Sequence, residues 1–317
     1  MKILLFLLAL VVVVGFALAI VTRRMARRVE AAFPPQGRFI DLPGTRLHLR
    51  EFGDAGKPAL LLIHGLGGQM GHFTYGVAQR LADEFRVVVI DRPGSGYSER
   101  ADDGPVRIGA QADTVAALID ALALDRPVVV GHSLGGAIAL ALAWQYPGKV
   151  RALALIAPLI FLPKEASPAF AALAVTSPGM RRFVGATLAV PATLLRSKAV
   201  LDIVFGPEPV PADYPTRGGG LLSLRPSQFV SASADFCAIG EALAPLQTHW
   251  AELALPVSVL YGRQDRILDY RANGEELLRQ RPATRLELVD GGHMLPLTQP
   301  DATAQFVRAS ARAAQLV

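Results

Sequence analysis

The chain has 317 residues, 51% of them hydrophobic, a composition that can fill the core of a full domain and argues against a long disordered region. Its single cysteine excludes an internal disulfide framework and a zinc site built from cysteines. The formal net charge is +5, but the basic N-terminal flank (Lys2 and four arginines, less Glu30) carries +4 of it. The remainder is close to neutral, which argues against a nucleic-acid-binding surface.

An uncharged apolar segment begins the chain. Its 19 residues, Ile3–Val21, would span roughly 28 Å as a helix, about the hydrocarbon thickness of a bilayer. We therefore predict a single membrane anchor with a basic flank over residues 1–30. The alternative is a cleaved signal peptide, for which Ala17-Leu18-Ala19 supplies a small-x-small site. Apolar residues continue past that site and four arginines follow, which favours the anchor.

The charges around this segment bear on its orientation. The four arginines after it favour a cytoplasmic location for the rest of the chain, whereas Lys2 and the amino terminus favour the opposite one. Signal cleavage would instead give a secreted or periplasmic protein. Residues 31–38 contain Pro34-Pro35 and Gly37 and are predicted to form a short, stiff linker to a domain over 39–317.

The remainder of the chain alternates strand-like with helix-like segments. The strand-like runs are Arg46–Phe52, Ala59–Ile63, Val87–Ile90, Val128–Val130, Ala152–Ile156, Val257–Tyr261 and Leu286–Val289. The helix-like stretches are Phe73–Asp83, Gln111–Leu124, Gly136–Tyr146, Tyr270–Gln280 and Ala302–Ala314. Strands separated by helices predict an α/β fold with a doubly wound, mainly parallel sheet, whose catalytic groups gather beyond the carboxyl ends of the strands.

The alternation stops between about residues 159 and 248. This stretch is rich in Ala, Leu, Pro and Gly, includes Gly218-Gly219-Gly220, and has no strand-like run. It is too long for an ordinary connection within a compact domain. We predict a helical lid inserted over the catalytic edge of the sheet, with a run of ordinary surface helices as the alternative.

The strongest motif is Gly131-His132-Ser133-Leu134-Gly135. Gly-x-Ser-x-Gly alone is weak evidence, but here an apolar strand-like run precedes it and an Ala-rich helical stretch follows. A turn this sharp needs both outer glycines, because a Cβ there would collide with the neighbouring strand and helix. The turn would raise Ser133 above the sheet at a helix start, where the helix dipole stabilises developing negative charge. Ser133 is therefore the candidate nucleophile.

A serine hydroxyl needs a base within hydrogen-bond reach. Among the six histidines, His293 lies in the loop after the last strand-like run, where its ring could extend over the sheet edge toward Ser133. His132 lies inside the sharp turn, and its side chain should point away from that of its neighbour. We therefore predict His293 as the base. Three other histidines lie in no motif: His48, His72 and His249.

With these motifs the chain resembles the α/β-hydrolase family from about Arg38 to the C-terminus, apart from the insertion. His64-Gly65-Leu66-Gly67-Gly68 is similar to the family's oxyanion loop, and Asp91-Arg92-Pro93-Gly94-Ser95-Gly96-Tyr97-Ser98 to its next strand-end loop. Members with an aspartate nucleophile, such as haloalkane dehalogenases and epoxide hydrolases, differ from this chain at Ser133. The resemblance points to the serine esterase and lipase branch of the family.

The resemblance implies the acid that orients the histidine. Asp265 follows the strand-like run ending at Tyr261, which is the family's usual place for this residue, and the chain order Ser, Asp, His matches. Asp290 is closer to His293 in sequence but is better explained as a loop-capping residue. Asp269 is better explained as a helix N-cap before Tyr270.

The backbone N–H groups of Leu66 and Leu134 are the predicted oxyanion hole. Five residues would support these motifs: His64, which would hold the oxyanion loop by hydrogen bonds, with Gly65, Gly131, His132 and Gly135. Asp91 and Arg92 are interpreted as a structural pair that holds the loops. No metal or other cofactor is indicated, and Gly94-Ser95-Gly96 lacks the third glycine and following helix of a dinucleotide site.

The predicted reaction is hydrolysis of small or lipophilic carboxylic esters through an acyl-enzyme on Ser133. The predicted partners are a small-molecule ester and a membrane, with no nucleic acid and no obligate protein partner. One alternative is cleavage of a carbon–carbon bond in ring-cleavage-type diketones by the same three residues. Another is a protein that keeps the fold and binds a ligand without catalysis.

Overall fold

A computed structural model describes residues 1–101 and 104–314, so the last residues of the predicted domain, 315–317, lie outside the described residues. The described strands belong to one sheet. In chain order they are β1 Arg38–Leu42, β2 Thr45–Phe52, β3 Ala59–Ile63, β4 Arg86–Ile90, β5 Glu99–Arg100, β6 Val128–His132, β7 Ala152–Ile156, β8 Val257–Gly262 and β9 Arg285–Val289. Each predicted strand is present within a residue or two, and β1 and β5 are additional.

The sheet is mainly parallel, as predicted. Its order is β1-β2-β4-β3-β6-β7-β8-β9, with β5 paired to β2. The pairings of β2 with β1, β4 and β5 are antiparallel, and every pairing from β4 through β9 is parallel. The carboxyl ends of the parallel strands therefore share one edge of the sheet, where the loops after β3, β6, β8 and β9 come together.

Alternate residues of the central strands pack into different core clusters. Leu60 and Leu62 of β3 belong to one cluster, whereas Leu61 and Ile63 belong to the other. β3, β6 and β7 are buried along their whole length. Because helices cover both faces of the sheet, these strands are continuous apolar runs rather than alternating ones.

The helices surround the sheet or extend from it. The α-helices are α1 Lys2–Ala32, α2 Gly71–Thr74, α3 Val77–Leu81, α4 Ile108–Ala121, α5 Leu134–Gln145, α6 Pro178–Thr187, α7 Ala189–Phe205, α8 Pro226–Leu246, α9 Glu276–Gln280, α10 Leu295–Thr298 and α11 Pro300–Ala313. Short 3-10 helices lie at Pro168–Leu173, Gly220–Leu224 and Gln247–Glu252, and a π-helical turn, Arg271–Glu275, precedes α9.

Two of the predicted helices are interrupted. The stretch Phe73–Asp83 divides into α2 and α3 at Gly76, which adopts an extended φ of −165° and lies so close to Pro300 that a Cβ would stand 3.0 Å from the proline ring. The stretch Tyr270–Gln280 begins with the π-helical turn. This wider turn places Asn273 where its Oδ1 accepts the N–H groups of Ile160 and Phe161, at 3.0 and 3.1 Å.

Residues 159–248, called here the helical insertion, lie between β7 and β8, and their described structure is helical without a strand. Buried ion pairs fix the insertion to the strand-end loops. Asp235 of α8 pairs with Arg92 at 2.8 Å and with Arg100 at 2.6 Å, and all three side chains are buried.

Two helices of the described chain are long and apolar enough to cross a membrane, Lys2–Ala32 and Pro226–Glu252. The second belongs to the helical insertion and is partly buried there. The apolar part of α1 is fully exposed, which is compatible with a membrane anchor or a signal sequence. By contrast, Thr22, Ala26 and Val29 of its C-terminal part are buried against the domain.

The connection between α1 and β1 is shorter than the predicted linker of residues 31–38. The helix continues to Ala32 and β1 begins at Arg38, which leaves residues 33–37 between them. The hydroxyl of Tyr97 donates a hydrogen bond to the carbonyl of Phe33. The Nε2 atom of His48 lies 2.9 Å from the carbonyl oxygen of Gln36. These contacts hold the connection against the domain.

Candidate active site

Ser133 lies between β6 and α5 with φ 55° and ψ −120°, a backbone conformation that residues with a Cβ rarely adopt. Backbone hydrogen bonds on both sides hold it there. Its N–H donates to the carbonyl of Ile156 at 3.1 Å, and its own carbonyl accepts the N–H groups of Gly136 and Leu159, both at 2.9 Å. The turn therefore presents the serine hydroxyl at the carboxyl edge of the sheet and at the N-terminus of α5.

The glycines of the motif are required by close backbone approach, as predicted. A Cβ on Gly131 would stand 2.5 Å from the carbonyl oxygen of Gly135. A Cβ on Gly135 would collide with the carbonyl oxygens of Ile63 and His64 at the end of β3. Gly65 in the neighbouring loop would place its Cβ 2.8 Å from that of Ser133. These contacts bring the loop after β3, which the sequence predicts to be the oxyanion loop, directly beside the serine.

Asp265 and His293 form a buried pair at the same edge. They follow β8 and β9, which are adjacent parallel strands. The Nδ1 atom of His293 lies 2.7 Å from Oδ2 of Asp265, with side-chain exposures of 4% and 0%. The other carboxylate oxygen accepts the N–H groups of Ile267 at 2.7 Å and Leu268 at 3.0 Å. Because Nδ1 is engaged by the carboxylate, Nε2 is the ring atom left for proton exchange.

The two competing aspartates have other environments. Asp290 is exposed, with 87% of its side chain accessible, and lies 3.7 Å from Arg263. Asp269 accepts the N–H groups of Arg271 at 2.6 Å and Ala272 at 3.0 Å, which is the N-cap role expected for it. Of the three aspartates considered, the structure thus brings Asp265 to His293.

The serine hydroxyl makes no hydrogen bond within the described part of the chain. In unliganded enzymes the contact between a catalytic serine and its histidine is often long and shortens only when substrate binds. Two backbone donors flank the hydroxyl. Leu134 is the first residue of α5, where N–H groups have no intrahelical partner. The N–H of Leu66 makes no backbone hydrogen bond among the described residues.

Three further histidines lie buried near His293. His132 is closest, with its ring centroid 4.9 Å from that of His293 and its Nε2 3.0 Å from the carbonyl oxygen of His293. Because a carbonyl can only accept, this contact requires the proton on Nε2. Burial, followed by repulsion from a charge on His293, holds the pKa of His132 well below its ordinary value. His132 is therefore neutral and holds the loop that carries His293.

His64 and His72 are also neutral. The Nδ1 of His64 donates to the carbonyl of Gly65 at 2.8 Å, and its Nε2 accepts the N–H of Arg92 at 2.9 Å. Burial and then the charge of Arg92 hold the pKa of His64 well below its ordinary value. Burial lowers the pKa of His72 to about 4. His64 thus links the loop after β3 to the loop after β4, and its support of an oxyanion loop stays a prediction.

Asp91 and Arg92 hold the loops, but through separate partners rather than as a pair. The Oδ2 of Asp91 lies 2.8 Å from Nδ1 of His48, and its Oδ1 accepts the N–H of Met70 at 2.7 Å. Arg92 donates to the carbonyls of His64 and Gly65, both at 3.0 Å, and pairs with Asp235. No motif surrounds His48 in the sequence, so this buried contact has no local sequence signal.

A cavity of about 230 Å³ opens beside Ser133. Leu66 and Leu134 line it together with the serine, and the loop after Asp265 adds Ile267 and Leu268. The helical insertion supplies most of the remaining wall, through Leu159, Leu162, Pro163, Ala166, Ser167, Phe170, Phe236, Ile239 and Gly240. No charged side chain belongs to this lining. The sequence predicts a lid but not these lining residues, since an apolar composition does not indicate which side chains face inward.

The described residues contain no group of three or more His, Cys, Asp or Glu side chains able to hold a metal ion. Cys237 is partly buried, with its Sγ 3.6 Å from the carbonyl oxygen of Leu173. The chemistry available at this edge is therefore that of a hydroxyl, an imidazole, a carboxylate and backbone N–H donors.

A family model of the alpha/beta hydrolase fold matches residues 58–300, and the chain belongs to that family. An uncharacterized protein of Mycobacterium tuberculosis is 29% identical over 294 residues, which cover 90% of this chain and 83% of that protein. The 2-hydroxymuconate semialdehyde hydrolase of a Pseudomonas strain is 39% identical over 125 residues, 39% of this chain and 44% of that protein. A crystal structure described as a membrane phospholipase A, a bacterial virulence factor, is 25% identical, with a TM-score of 0.67 and coverage of 99% of both chains.

Proposed function

We propose that this protein is a serine hydrolase that cleaves carboxylic esters through an acyl-enzyme on Ser133, with His293 as base and Asp265 as its orienting acid. The observation that carries the proposal is the buried 2.7 Å contact between His293 and Asp265 at the sheet edge that also holds the strained Ser133. A structural ion pair needs no serine in a strained turn beside it. A hydrolytic site needs all three groups.

In the proposed reaction the Oγ of Ser133 attacks the ester carbonyl carbon and its proton passes to Nε2 of His293. Asp265 stabilises the imidazolium that forms. The tetrahedral intermediate then expels the alcohol, which takes the proton from Nε2. Water attacks the acyl-enzyme with His293 again as base, and collapse of the second intermediate releases the carboxylic acid and returns the proton to Ser133.

The oxyanion of both intermediates would accept hydrogen bonds from the N–H groups of Leu66 and Leu134. Both residues line the cavity next to Ser133, and the second N–H also lies at the positive end of the α5 dipole. Removal of one such donor in other enzymes costs about 10²–10³ in kcat. Because these donors belong to the backbone, their placement depends on the glycines that let the two loops approach.

The cavity lining favours a neutral, apolar acyl group. A buried carboxylate or ammonium in this cavity would have no charged partner in the lining, which is costly. Its volume of about 230 Å³ lies below the roughly 300–1,000 Å³ of pockets for drug-sized ligands, so a small acyl group fits best. Similarity to the protein described as a membrane phospholipase A, at 25% identity, supports an ester substrate that partitions into lipid.

We further propose that α1 is an uncleaved membrane anchor, with the domain on the cytoplasmic side. The exposed apolar part of α1 and the four arginines that follow it support this orientation. A C-terminal fusion to alkaline phosphatase, which is active only outside the cytoplasm, tests the orientation in cells. Phosphatase activity of the fusion would contradict it.

Cleavage of a carbon–carbon bond in a diketone is a second candidate, favoured by the 39% local identity to a 2-hydroxymuconate semialdehyde hydrolase. Such substrates carry a carboxylate, and the cavity offers no cation for it. We therefore place ester hydrolysis first. Loss of the ultraviolet absorbance of a ring-cleavage product in the presence of the protein would reverse this order.

A panel of p-nitrophenyl esters, from acetate to palmitate, tests the proposal directly. We expect turnover by the full chain in detergent with a preference for short acyl groups, and loss of turnover in Ser133→Ala. Ser223→Ala, an exposed serine of the helical insertion, is the matched control and should keep full activity. Thermal stabilisation by esters without turnover would instead support a ligand-binding protein.

A further inference from the structure

Large exposed hydrophobic side chains are confined to two segments of the described chain. Every large hydrophobic residue that is exposed lies in Met1–Val21 or between Leu162 and Leu195 of the helical insertion. The second group includes Phe183, 54% exposed, and Leu195, 85% exposed. The cost of exposing such residues in water makes a clustered group a sign of an interaction surface. We call Met180, Phe183, Leu188, Leu194 and Leu195 the insertion patch.

The insertion patch lies beside the end of the apolar run of α1. The uncharged run ends at Val21, and the next residue, Thr22, donates its hydroxyl to the carbonyl of Thr187 at 3.2 Å. Thr187 is the last residue of α6. Phe183 lies one turn before it and Leu188 directly after it. When the apolar run of α1 spans a bilayer, this contact places the end of α6 at the level where the hydrocarbon ends.

Further contacts prevent α1 from acting as a free tether. Val29 packs with Val190, Leu222 and Leu224 of the helical insertion. Glu30 lies 3.6 Å from the guanidinium of Arg225, which is buried at the start of α8. The insertion is therefore held at a fixed distance from the membrane-spanning part of α1.

The pattern of the patch suits a surface that lies flat on lipid. Met180 and Phe183 are three residues apart, and Leu188 and Leu195 are seven apart, spacings that put each pair on one helical face. Basic residues flank these positions: Arg23, Arg24, Arg27 and Arg28 on α1, and Arg196 and Lys198 on α7, all exposed. Apolar side chains bordered by arginine and lysine match the chemistry of an anionic headgroup boundary.

We propose that the insertion patch lies in the headgroup region of the bilayer, so that α6 and α7 contact lipid directly. This inference depends on the proposed membrane anchoring by α1. Continuity with α1 favours lipid over a second protein, because the same helix end fixes both surfaces. Leu162 connects the surface of the helical insertion with the active site, because it lines the cavity beside Ser133 and is itself 41% exposed. An ester dissolved in lipid would then reach the cavity without crossing bulk water.

A site-specific probe tests the depth of the patch in the full chain. Leu195→Cys and, as matched control, Ala121→Cys at the exposed end of α4 would each carry the fluorophore NBD, in a Cys237→Ala background. The labelled chains would be reconstituted into phosphatidylcholine vesicles containing some phosphatidylglycerol and shallow doxyl-labelled lipid. We expect quenching at position 195 to exceed that at position 121 by about twofold or more, with blue-shifted emission.

The outcomes separate docking from anchoring. Equal quenching at both positions in a chain that floats with the vesicles overturns the docking and leaves the anchor intact. A chain that fails to float overturns both. A third outcome is seen in a detergent sample without doxyl lipid. If the emission at position 195 is still blue-shifted there and the shift is lost on dilution, position 195 contacts a second copy of the chain. That result also overturns the proposal.

Activity supplies a second readout. In the double variant Phe183→Glu and Leu195→Glu, hydrolysis of a long-chain ester dissolved in vesicles should fall about fivefold or more. The reason is that docking would transfer two carboxylates from water into the bilayer, which is unfavourable. Hydrolysis of a water-soluble butyrate ester should stay within about twofold of the parent, as neither residue lines the cavity. Ala121→Glu is the control for the added charge. No difference between the two substrates contradicts the proposal.

Discussion

The carboxyl edge of the sheet and the helical insertion meet at one cavity but are built differently. At the sheet edge, the Asp265 carboxylate is buried and contacts both His293 and two backbone N–H groups. In the helical insertion, the cavity wall is apolar and large hydrophobic side chains remain exposed on the outside.

This difference suggests that the sheet edge carries the proposed reaction and that the helical insertion determines which substrate binds. The strained backbone at Ser133 and the close glycine contacts restrict where these atoms can lie, which a reacting group requires. The helical insertion offers shape and apolar surface, which select a substrate without positioning a bond to be broken. Substitutions at the sheet edge should therefore abolish turnover, whereas those in the insertion should change which ester is used.

The largest effect is expected for His293→Ala. Removing the proposed base should lower kcat about a millionfold, as deletion of a serine or histidine does in other enzymes with this arrangement. Steady-state hydrolysis of p-nitrophenyl butyrate measures the change. His249→Ala is the matched control, because His249 stacks on Trp144 at 4.2 Å outside the site. A comparable loss in both variants would mean that the effect is not specific to the site.

Asp265→Asn should lower kcat about 10⁴-fold, since an amide at this position favours the wrong tautomer of His293. The control is Asp290→Asn, three residues before His293 but exposed, which should leave the rate within about twofold. The same ester assay applies. Equal rates for the two variants would remove Asp265 from the proposed mechanism.

In the helical insertion, Gly240→Leu should alter chain-length preference rather than chemistry. Gly240 lines the cavity on α8, and no atom lies within 4 Å of the Cβ it lacks, so a leucine fits without displacing the backbone. We expect kcat/KM for an octanoate ester to fall about tenfold, with that for acetate changed by less than about threefold. Gly148→Leu, equally unobstructed but outside the cavity, is the control. Equal losses on both esters would mean that the substitution affects the reaction itself and not the preference for acyl chain length.

The smallest expected effect concerns stability. The pKa of His72 in the folded chain is about 4, below its ordinary value of 6.5. Between pH 4 and 6.5, His72 is therefore protonated in the unfolded chain but neutral in the folded chain. The free energy of unfolding should therefore fall as pH drops from about 6.5 to 4, by on the order of 3 kcal/mol from this group. Thermal midpoints in detergent should decline less steeply in His72→Gln than in the parent. An unchanged slope would contradict the burial of a neutral His72. His249→Gln is the control, because the side chain of His249 is about one third exposed, at 34%.

The sequence predicted the sheet well because β3, β6 and β7 are buried on both faces and form apolar runs that few other structures explain. It also placed Asp265 and His293 after neighbouring strands, where the structure brings them together, although their catalytic roles stay predictions. The break at Gly76 was not predicted, and the close approach of Gly76 to Pro300 joins positions more than two hundred residues apart.

Tertiary contacts made by the helical insertion have no local sequence signal either. The hydrogen bond between Thr22 and Thr187 joins residues 165 positions apart, and neither lies in a motif. Phe170 and Phe236 face the cavity, but an apolar helix shows its hydrophobic residues without showing which element covers each one. The family resemblance does not predict these contacts, since it does not cover the helical insertion.

Labelling of the full chain with a fluorescent fluorophosphonate is the most direct test of the central claim. The reagent reacts with a serine only where a base and an oxyanion hole activate it. We predict one label per chain, mapped by peptide mass to Ser133, absent from Ser133→Ala and strongly reduced in His293→Ala. Folded protein that stays unlabelled, or a label on a different serine, would contradict the assembled site.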